Sequence, residues 1–132
     1  GWCWLSRITN GLSNKIKSIL GMPALLPEEL VKWKFVESKV KRVMQAYAFQ
    51  EIRTPIVERT ELFQRTIGQD TDVVSKEMYS FNDRKGQSLS LRPEATAGVV
   101  RAGIEHCLFY NRTQKLWSMG PMYRDARRKE GR

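Results

Sequence analysis

The sequence predicts an α+β fold in which an antiparallel sheet is flanked by helices. Apolar residues recur every three or four positions after Pro27, which indicates a helix. Two extended runs, residues 78–81 and 88–91, flank a polar stretch that ends at Gly86 and predict a hairpin. The predicted order of helix, strand, short helix, hairpin, helix and strand is typical of a layered α+β domain.

The first helix is predicted to begin at Pro27, because proline is tolerated in the first turn, where its missing N–H would be unpaired anyway. Glu28 and Glu29 follow it and lie at the positive end of the helix dipole. One apolar stripe then runs along the helix, and we expect this stripe to pack on a sheet. Its members are Leu30, Trp33, Val36, Val40, Val43, Met44 and Tyr47.

The next elements are shorter. Pro55 interrupts the extended run of residues 49–57, so this strand lies at an edge, is interrupted or meets another chain. We expect Thr60 to cap a short helix that ends near Gly68. After the hairpin, residues 95–107 are predicted to form a helix and residues 114–124 a further strand.

Composition suits one domain with an anionic partner. The 132 residues carry a formal net charge of +9, which favours nucleic acid, although a solvated basic surface explains the same charge. Two distant cysteines and one histidine suggest neither a disulfide framework nor a structural zinc site, and a cytoplasmic location fits. The sequence contains no apolar run long enough to span a bilayer, so we expect no membrane association.

Residues 1–20 differ from the rest of the chain. They are basic and contain no acidic residue, since the first one in the chain is Glu28. We expect a disordered leader at 1–20 and a single partial domain at 21–132. A remnant of an organellar presequence is the alternative for the leader.

Two runs carry the chemistry. Residues 91–97, LRPEATA, place a carboxylate, Glu94, and a hydroxyl, Thr96, where a helix begins. Residues 122–124, MYR, place Arg124 at the end of another extended run. A cation that converges with such acceptors suits a zwitterionic substrate and a nucleotide phosphate. Taken alone, Glu94 and Thr96 also suit a helix cap, and Arg124 an ordinary charge at a strand end.

With further runs, these motifs resemble histidyl-tRNA synthetase, a class II aminoacyl-tRNA synthetase. The run EIRTPIVE at 51–58 is similar to motif 1, and the run GPMYR at 120–124 is similar to motif 2. The other runs are TDVV at 71–74, KEMY at 76–79 and RAGIEH at 101–106. The resemblance covers residues 21–132 and implies a partial class II catalytic fold that is truncated within motif 2.

The resemblance implies that ATP, with Mg²⁺, activates histidine to histidyl-adenylate, which then acylates tRNA(His). Glu94 and Thr96 would hold the α-ammonium group of histidine. Arg124 would be the catalytic residue, contacting both the histidine carboxylate and the α-phosphate of ATP, and Arg132 would contact ATP phosphates. We expect no metal to be bound by side chains of this segment.

The resemblance also implies macromolecular partners. Pro55 would lie at a homodimer interface. Arg127 and Arg128 would contact the acceptor end of tRNA, although a solvated loop explains these two arginines equally well.

The sequence departs from the family pattern at several positions. Residues 20–24, LGMPA, lack the arginine, asparagine and aspartate that are usual there. Ala126 replaces a glutamate that reaches towards adenine, and Arg128 replaces a proline. The second strand of motif 2, motif 3 and the anticodon-binding domain would follow Arg132, so we expect the isolated chain to be inactive or weakly active.

Two other functions remain open from the sequence. One is the synthetase-like, non-catalytic regulatory subunit of ATP phosphoribosyltransferase, which binds histidine without charging tRNA. The other is a basic RNA-binding or dimerisation module that kept the fold and lost the chemistry.

Overall fold

The computed structural model describes residues 16–125. The expected leader therefore lies largely outside the described residues, as do Ala126, Arg127, Arg128 and Arg132. The chain divides into two compact units, Gly1–Lys41 and Arg42–Arg132. The division at residue 20 expected from the sequence stays a prediction.

Helix α1, Pro27–Ala46, begins where the sequence predicts, with Glu28 and Glu29 in its first turn. None of its residues is buried. Trp33 of the apolar stripe is 52% exposed, and the expected packing of the stripe on a sheet stays a prediction. An α-helix closes its backbone hydrogen bonds internally, so α1 needs no buried residue in order to form.

Within the described residues, five short strands form two sheets. The parallel pair consists of β1, Gln50–Glu51, and β5, Leu116–Trp117. The antiparallel sheet has the order β2–β4–β3, with β2 at Val57–Arg59, β3 at Ser80–Asn82 and β4 at Ser88–Leu91. The α+β class predicted from the sequence is confirmed.

The run of residues 49–57 is interrupted, as Pro55 predicts. Residues 52–56 belong to no strand and separate β1 from β2, and Pro55 is exposed within them. Because proline donates no backbone hydrogen bond, the ladder breaks at this point.

Helix α2, Thr60–Ile67, ends at Gly68, whose φ of 102° few other residues adopt. The predicted cap by Thr60 is wrong, because Thr60 is itself the first helical residue and Arg59 holds the cap position. The buried Thr60 hydroxyl instead bonds the hydroxyl oxygens of Ser88 and Ser90, each at 2.7 Å.

The predicted hairpin joins β3 to β4. The Asp83 carboxylate accepts hydrogen bonds from the backbone N–H groups of Lys85, at 2.9 Å, and Gln87, at 2.7 Å. Gly86 has a φ of 82°, so the turn depends on its glycine. These contacts fix the strand register, in which Phe81 faces Leu89.

Helix α3, Thr96–Glu105, forms within the predicted range. Its buried face includes Ala97 and Ala102, and Phe63 of α2 is fully buried. A short π-helical segment, Val73–Glu77, was not predicted.

The predicted strand at residues 114–124 is wrong beyond β5. Residues 118–125 form no strand, because their backbone bonds go singly to separate parts of the fold. The Tyr123 N–H donates to the carbonyl of Arg92 at 2.9 Å, and the Asp125 N–H donates to the carbonyl of Glu77 at 2.7 Å. These two bonds still fasten the segment that carries Arg124.

Candidate functional site

The junction between β4 and α3 is where the predicted site residues meet. We call residues 92–97 the β4–α3 junction. Arg92, Pro93 and Ala97 are buried in it, whereas Thr96 is exposed. The junction therefore has a buried base and an exposed rim.

Glu94 caps helix α3. Its Oε2 accepts a hydrogen bond from the backbone N–H of Thr96 at 2.6 Å, and its Oε1 accepts one from Ala97 at 2.9 Å. The first N–H groups of a helix have no partner within the helix, and a carboxylate there also suits the helix dipole. The cap that the sequence left open as an alternative role for Glu94 is therefore formed.

This cap leaves Glu94 further capacity to bind. A carboxylate offers about four lone-pair positions, and the two backbone bonds occupy two of them. Glu94 is half-buried, so part of its side chain still faces solvent.

Arg124 is fastened beside Glu94 by one hydrogen bond. Its Nε donates to the carbonyl oxygen of Pro93 at 3.0 Å, and the residue is otherwise exposed. A guanidinium group has five N–H donors, and this bond uses one of them. The structure thus places Arg124 against Pro93, the residue before Glu94 in the run that also carries Thr96. Glu94, Thr96 and Arg124 are the three residues that the sequence predicted to bind histidine.

This arrangement has a simple chemical use. The cationic Arg124 contacts Pro93, and the acceptors Glu94 and Thr96 follow Pro93 within three residues. A zwitterion such as an amino acid carries the complementary charges, and a planar arginine can bind a carboxylate or phosphate through two parallel bonds.

An ion pair supports the junction from α3. The buried Glu58 carboxylate of β2 accepts Arg101 Nε at 2.9 Å through Oε2 and Arg101 Nη2 at 3.0 Å through Oε1. Arg101 also pairs with Glu105 one turn later on α3. A Cβ at Gly98 would lie 3.1 Å from Thr54 Oγ1, so a glycine lets α3 approach the segment before β2 closely.

Sequence reasoning missed three residues here, namely Arg92, Glu58 and Arg101. A signal for the pair existed, because Glu58 and Arg101 lie in two different motif runs and carry opposite charges. The sequence alone gave no indication that these two runs meet.

Among the clefts formed by the described residues, two lie away from this junction. The larger, of about 450 Å³, is lined by Glu58, Arg59, Glu61, Leu62, Arg65, Arg101 and Glu105. The smaller, of about 260 Å³, is lined by Arg59, Thr60, Glu61, Gln64, Gln87 and Ser88. Glu94, Thr96 and Arg124 line neither cleft.

Within residues 16–125, no three His, Cys, Asp or Glu side chains lie close enough together to hold a metal ion. No helix in the described part of the chain is long and apolar enough to cross a membrane.

Comparison with known proteins agrees with the motifs. The family model for histidyl-tRNA synthetase matches residues 21–132. A histidine–tRNA ligase from Coxiella burnetii (strain Dugway 5J108-111) is 54% identical over 121 residues, which are 92% of this chain. Those residues span only 29% of the length of that relative.

Solved structures agree as well. Apo histidyl-tRNA synthetase from S. aureus is 41% identical, with a TM-score of 0.70 over 83% of this chain and 30% of that one. An ATP phosphoribosyltransferase regulatory subunit/histidyl-tRNA synthetase from Bacillus halodurans shares the fold, with a TM-score of 0.68 at 22% identity over 86% of this chain and 28% of that one. The motifs, the fold and the family match together show that this chain belongs to the histidyl-tRNA synthetase family.

Proposed function

We propose that this chain contributes the histidine-binding and α-phosphate-binding groups of a histidine–tRNA ligase. The observation that carries the proposal is the hydrogen bond from Arg124 Nε to the Pro93 carbonyl, which holds a guanidinium beside Glu94. Family membership and 54% identity to a histidine–tRNA ligase support the same reaction.

In the first step of this reaction, an oxygen of the histidine carboxylate attacks the α-phosphorus of ATP. A new P–O bond forms while the bond to the bridging oxygen breaks, and pyrophosphate leaves with the electron pair. The protein contributes mainly position and charge to such a displacement. Arg124 would hold the carboxylate and the α-phosphate together, since its donors point in a fixed plane.

Glu94 and Thr96 would bind the α-ammonium group of histidine. The lone pairs of Glu94 that the α3 cap does not use are acceptors, and the exposed Thr96 hydroxyl adds another. The cap itself would fix the carboxylate in place before histidine arrives, which lowers the entropy cost of binding.

The remaining contacts in the proposal lie outside the described residues. Arg132 would meet the ATP phosphates, with Mg²⁺ entering on the nucleotide. Arg127 and Arg128 would contact the acceptor end of tRNA(His). In the second step, the 3′ hydroxyl of that tRNA attacks the acyl carbon and AMP leaves. The cytoplasm is the proposed location, since translation there needs this reaction.

A regulatory role is the second candidate. The observation that favours it is the shared fold with the Bacillus halodurans protein, whose name includes a regulatory subunit of ATP phosphoribosyltransferase. Such a subunit would bind histidine at the same rim without exchanging pyrophosphate. The two candidates therefore differ in chemistry while sharing Glu94 and Thr96.

Histidine-dependent exchange of labelled pyrophosphate into ATP separates the two candidates. The assay is best run on this chain and on the Coxiella burnetii ligase carrying residues 21–132 in place of its own segment. We expect exchange in the hybrid that requires histidine and falls about a hundredfold in Arg124→Ala. The exposed Arg112→Ala is the matched control and should change little.

Histidine binding without any exchange in the hybrid would favour the regulatory role. Exchange that survives Arg124→Ala at the Arg112→Ala level would contradict the site. Comparable tRNA charging by the hybrid and by the isolated chain would contradict the expectation that the isolated chain is inactive or weakly active.

We also expect a twofold dimer through the segment around Pro55. Pro55 is exposed, and its segment lies between β1 and β2 and leaves the ladder interrupted. A closed twofold pair is the commonest arrangement for soluble oligomers. Light scattering at micromolar concentration should give the mass of a dimer, and a monomer at every concentration would contradict this expectation.

A further inference from the structure

Arg92 is a buried cation that has no role in the proposed reaction. Only 7% of the residue is exposed. Its Nε donates to the Pro121 carbonyl at 2.9 Å, and its Nη1 donates to the carbonyl and the hydroxyl of Thr54 at 3.2 and 3.3 Å. Among the described residues, no carboxylate forms an ion pair with it. Its guanidinium group therefore donates to backbone and hydroxyl oxygens.

The backbone of Arg92 joins the same two parts of the chain. Its N–H donates to the Ile56 carbonyl, and its carbonyl accepts from the Tyr123 N–H, both at 2.9 Å. Side chain and backbone thus connect β4 to residues 54–56 on one side and to residues 121–123 on the other. In sequence these parts lie about thirty or more residues from Arg92, so a single residue closes two long loops.

Gly120 fits closely against this side chain. A Cβ at position 120 would overlap Arg92 Nη2. The backbone at 120 therefore approaches the guanidinium more closely than any larger residue permits, and the following carbonyl, that of Pro121, is in reach of Nε.

The two residues after Arg92 carry the site. The Pro93 carbonyl accepts Arg124 Nε, and the Glu94 carboxylate caps α3. We propose that Arg92 is a positioning residue, which holds residues 121–123 against β4 so that Arg124 lies beside Glu94. The proposal deepens the proposed function and rests on it for its biological meaning, although the geometry it concerns needs no ligand.

The chemistry of arginine suits this task. Its planar group donates in several fixed directions at once, whereas lysine is a flexible point charge with a different reach. Arg92→Lys therefore keeps the charge and loses the simultaneous contacts to Thr54 and Pro121. The expected consequence is a looser segment around Tyr123, and an Arg124 side chain that leaves the Pro93 carbonyl more often.

The test measures hydrogen exchange at the Arg124 Nε–H by NMR, on the whole 132-residue chain without ligand. Arg92→Lys should speed this exchange about tenfold, the effect of losing roughly one hydrogen-bond energy of protection. The backbone amides of the β3–β4 hairpin should keep their protection, which separates loss of position from loss of fold. The matched control, Arg53→Lys, changes an arginine whose side chain is 80% exposed and should leave Arg124 unaffected.

A second variant, Gly120→Ala, displaces the guanidinium while leaving Arg92 in place, and should give the same selective effect. Unchanged exchange at Arg124 in either folded variant would overturn the proposal. A loss of hairpin protection as large as the loss at Arg124 in both variants would overturn it as well, because the whole fold would then open together. The hydrogen-exchange experiment uses no ligand, so a negative result would not contradict the proposed ligase reaction. Likewise, an absence of pyrophosphate exchange would not contradict the positioning role of Arg92.

Discussion

Two arginines only 32 positions apart have opposite environments in this molecule. Arg92 is 7% exposed and directs its side-chain donors at Thr54 and Pro121. Arg124 is exposed, and within residues 16–125 its side chain gives one bond, to the Pro93 carbonyl. The two segments that carry them are joined by the bond from the Tyr123 N–H to the Arg92 carbonyl.

The difference shows which arginine can serve a ligand. A guanidinium whose N–H donors already bind protein oxygens has few donors left for a ligand. Breaking those bonds would leave buried oxygens without hydrogen-bond partners, which costs free energy. A guanidinium held by one nitrogen keeps its outer donors free and still has a fixed position. Arg92 is therefore suited to a structural role, and Arg124 is suited to binding a ligand.

The largest expected effect is on stability. Arg92→Ala removes three side-chain hydrogen bonds and leaves buried oxygens without partners, so the free energy of unfolding should fall by about 4 kcal/mol. Urea denaturation measures this change. Arg53→Ala is the control, because a side chain that is 80% exposed and pairs only with Glu51 should cost less than about 1 kcal/mol. Equal losses of unfolding free energy in Arg92→Ala and Arg53→Ala would contradict a structural role for the buried arginine.

The next effect concerns ligand binding. Arg124→Ala should weaken ATP binding about a hundredfold, roughly 3 kcal/mol, because a phosphate contact in a preorganised site is lost. Its free energy of unfolding should change by less than about 1 kcal/mol, since only the bond to Pro93 disappears. Calorimetric titration with ATP checks the first figure, with Arg112→Ala as control. A large loss of stability with unchanged ATP affinity would assign Arg124 to the structure instead.

A third arginine lies between these extremes. The Arg101 side chain is 30% exposed and binds Glu58, whose side chain is 8% exposed. Glu58→Gln should lower the free energy of unfolding by about 2 kcal/mol, less than for a fully buried pair because water still reaches Arg101. Glu105→Gln breaks only the exposed pair along α3 and should cost about 0.5 kcal/mol. Thermal denaturation of the two variants should reveal this order, and the reverse order would contradict it.

Local features of the fold could be predicted from the sequence. Proline and two acids begin α1, Gly68 ends α2, and the polar turn at Asp83 joins the hairpin strands. Each of these features acts over a few neighbouring residues, and the sequence displays it directly.

Features that depend on distant contacts could not be predicted. The Thr60 hydroxyl bonds Ser88 and Ser90 instead of capping its own helix. Residues 123 and 125 bond to Arg92 and Glu77 instead of to a strand. In both cases, the deciding partner is not visible within the local sequence.

The candidate site shows the same division. Its candidate ligand-binding groups, Glu94, Thr96 and Arg124, were found because their motifs resemble a family. Their supports, Arg92 and the pair of Glu58 with Arg101, depend on contacts between residues 29 to 43 positions apart. The cap that Glu94 forms on α3 was visible as an alternative, and it occurs together with an open face for a ligand.

The central claim is that Glu94 and Arg124 bind opposite ends of one histidine. A double-mutant cycle with Glu94→Gln and Arg124→Gln, measured as the free energy of histidine binding, tests it most directly. Each substitution loses the same structural contacts whether or not the other residue is changed, so these losses cancel in the cycle. What remains is the interaction of the two residues through the ligand. We expect a coupling of about 1 kcal/mol or more. Effects that add within about 0.5 kcal/mol would mean that the two residues act independently, which contradicts the account.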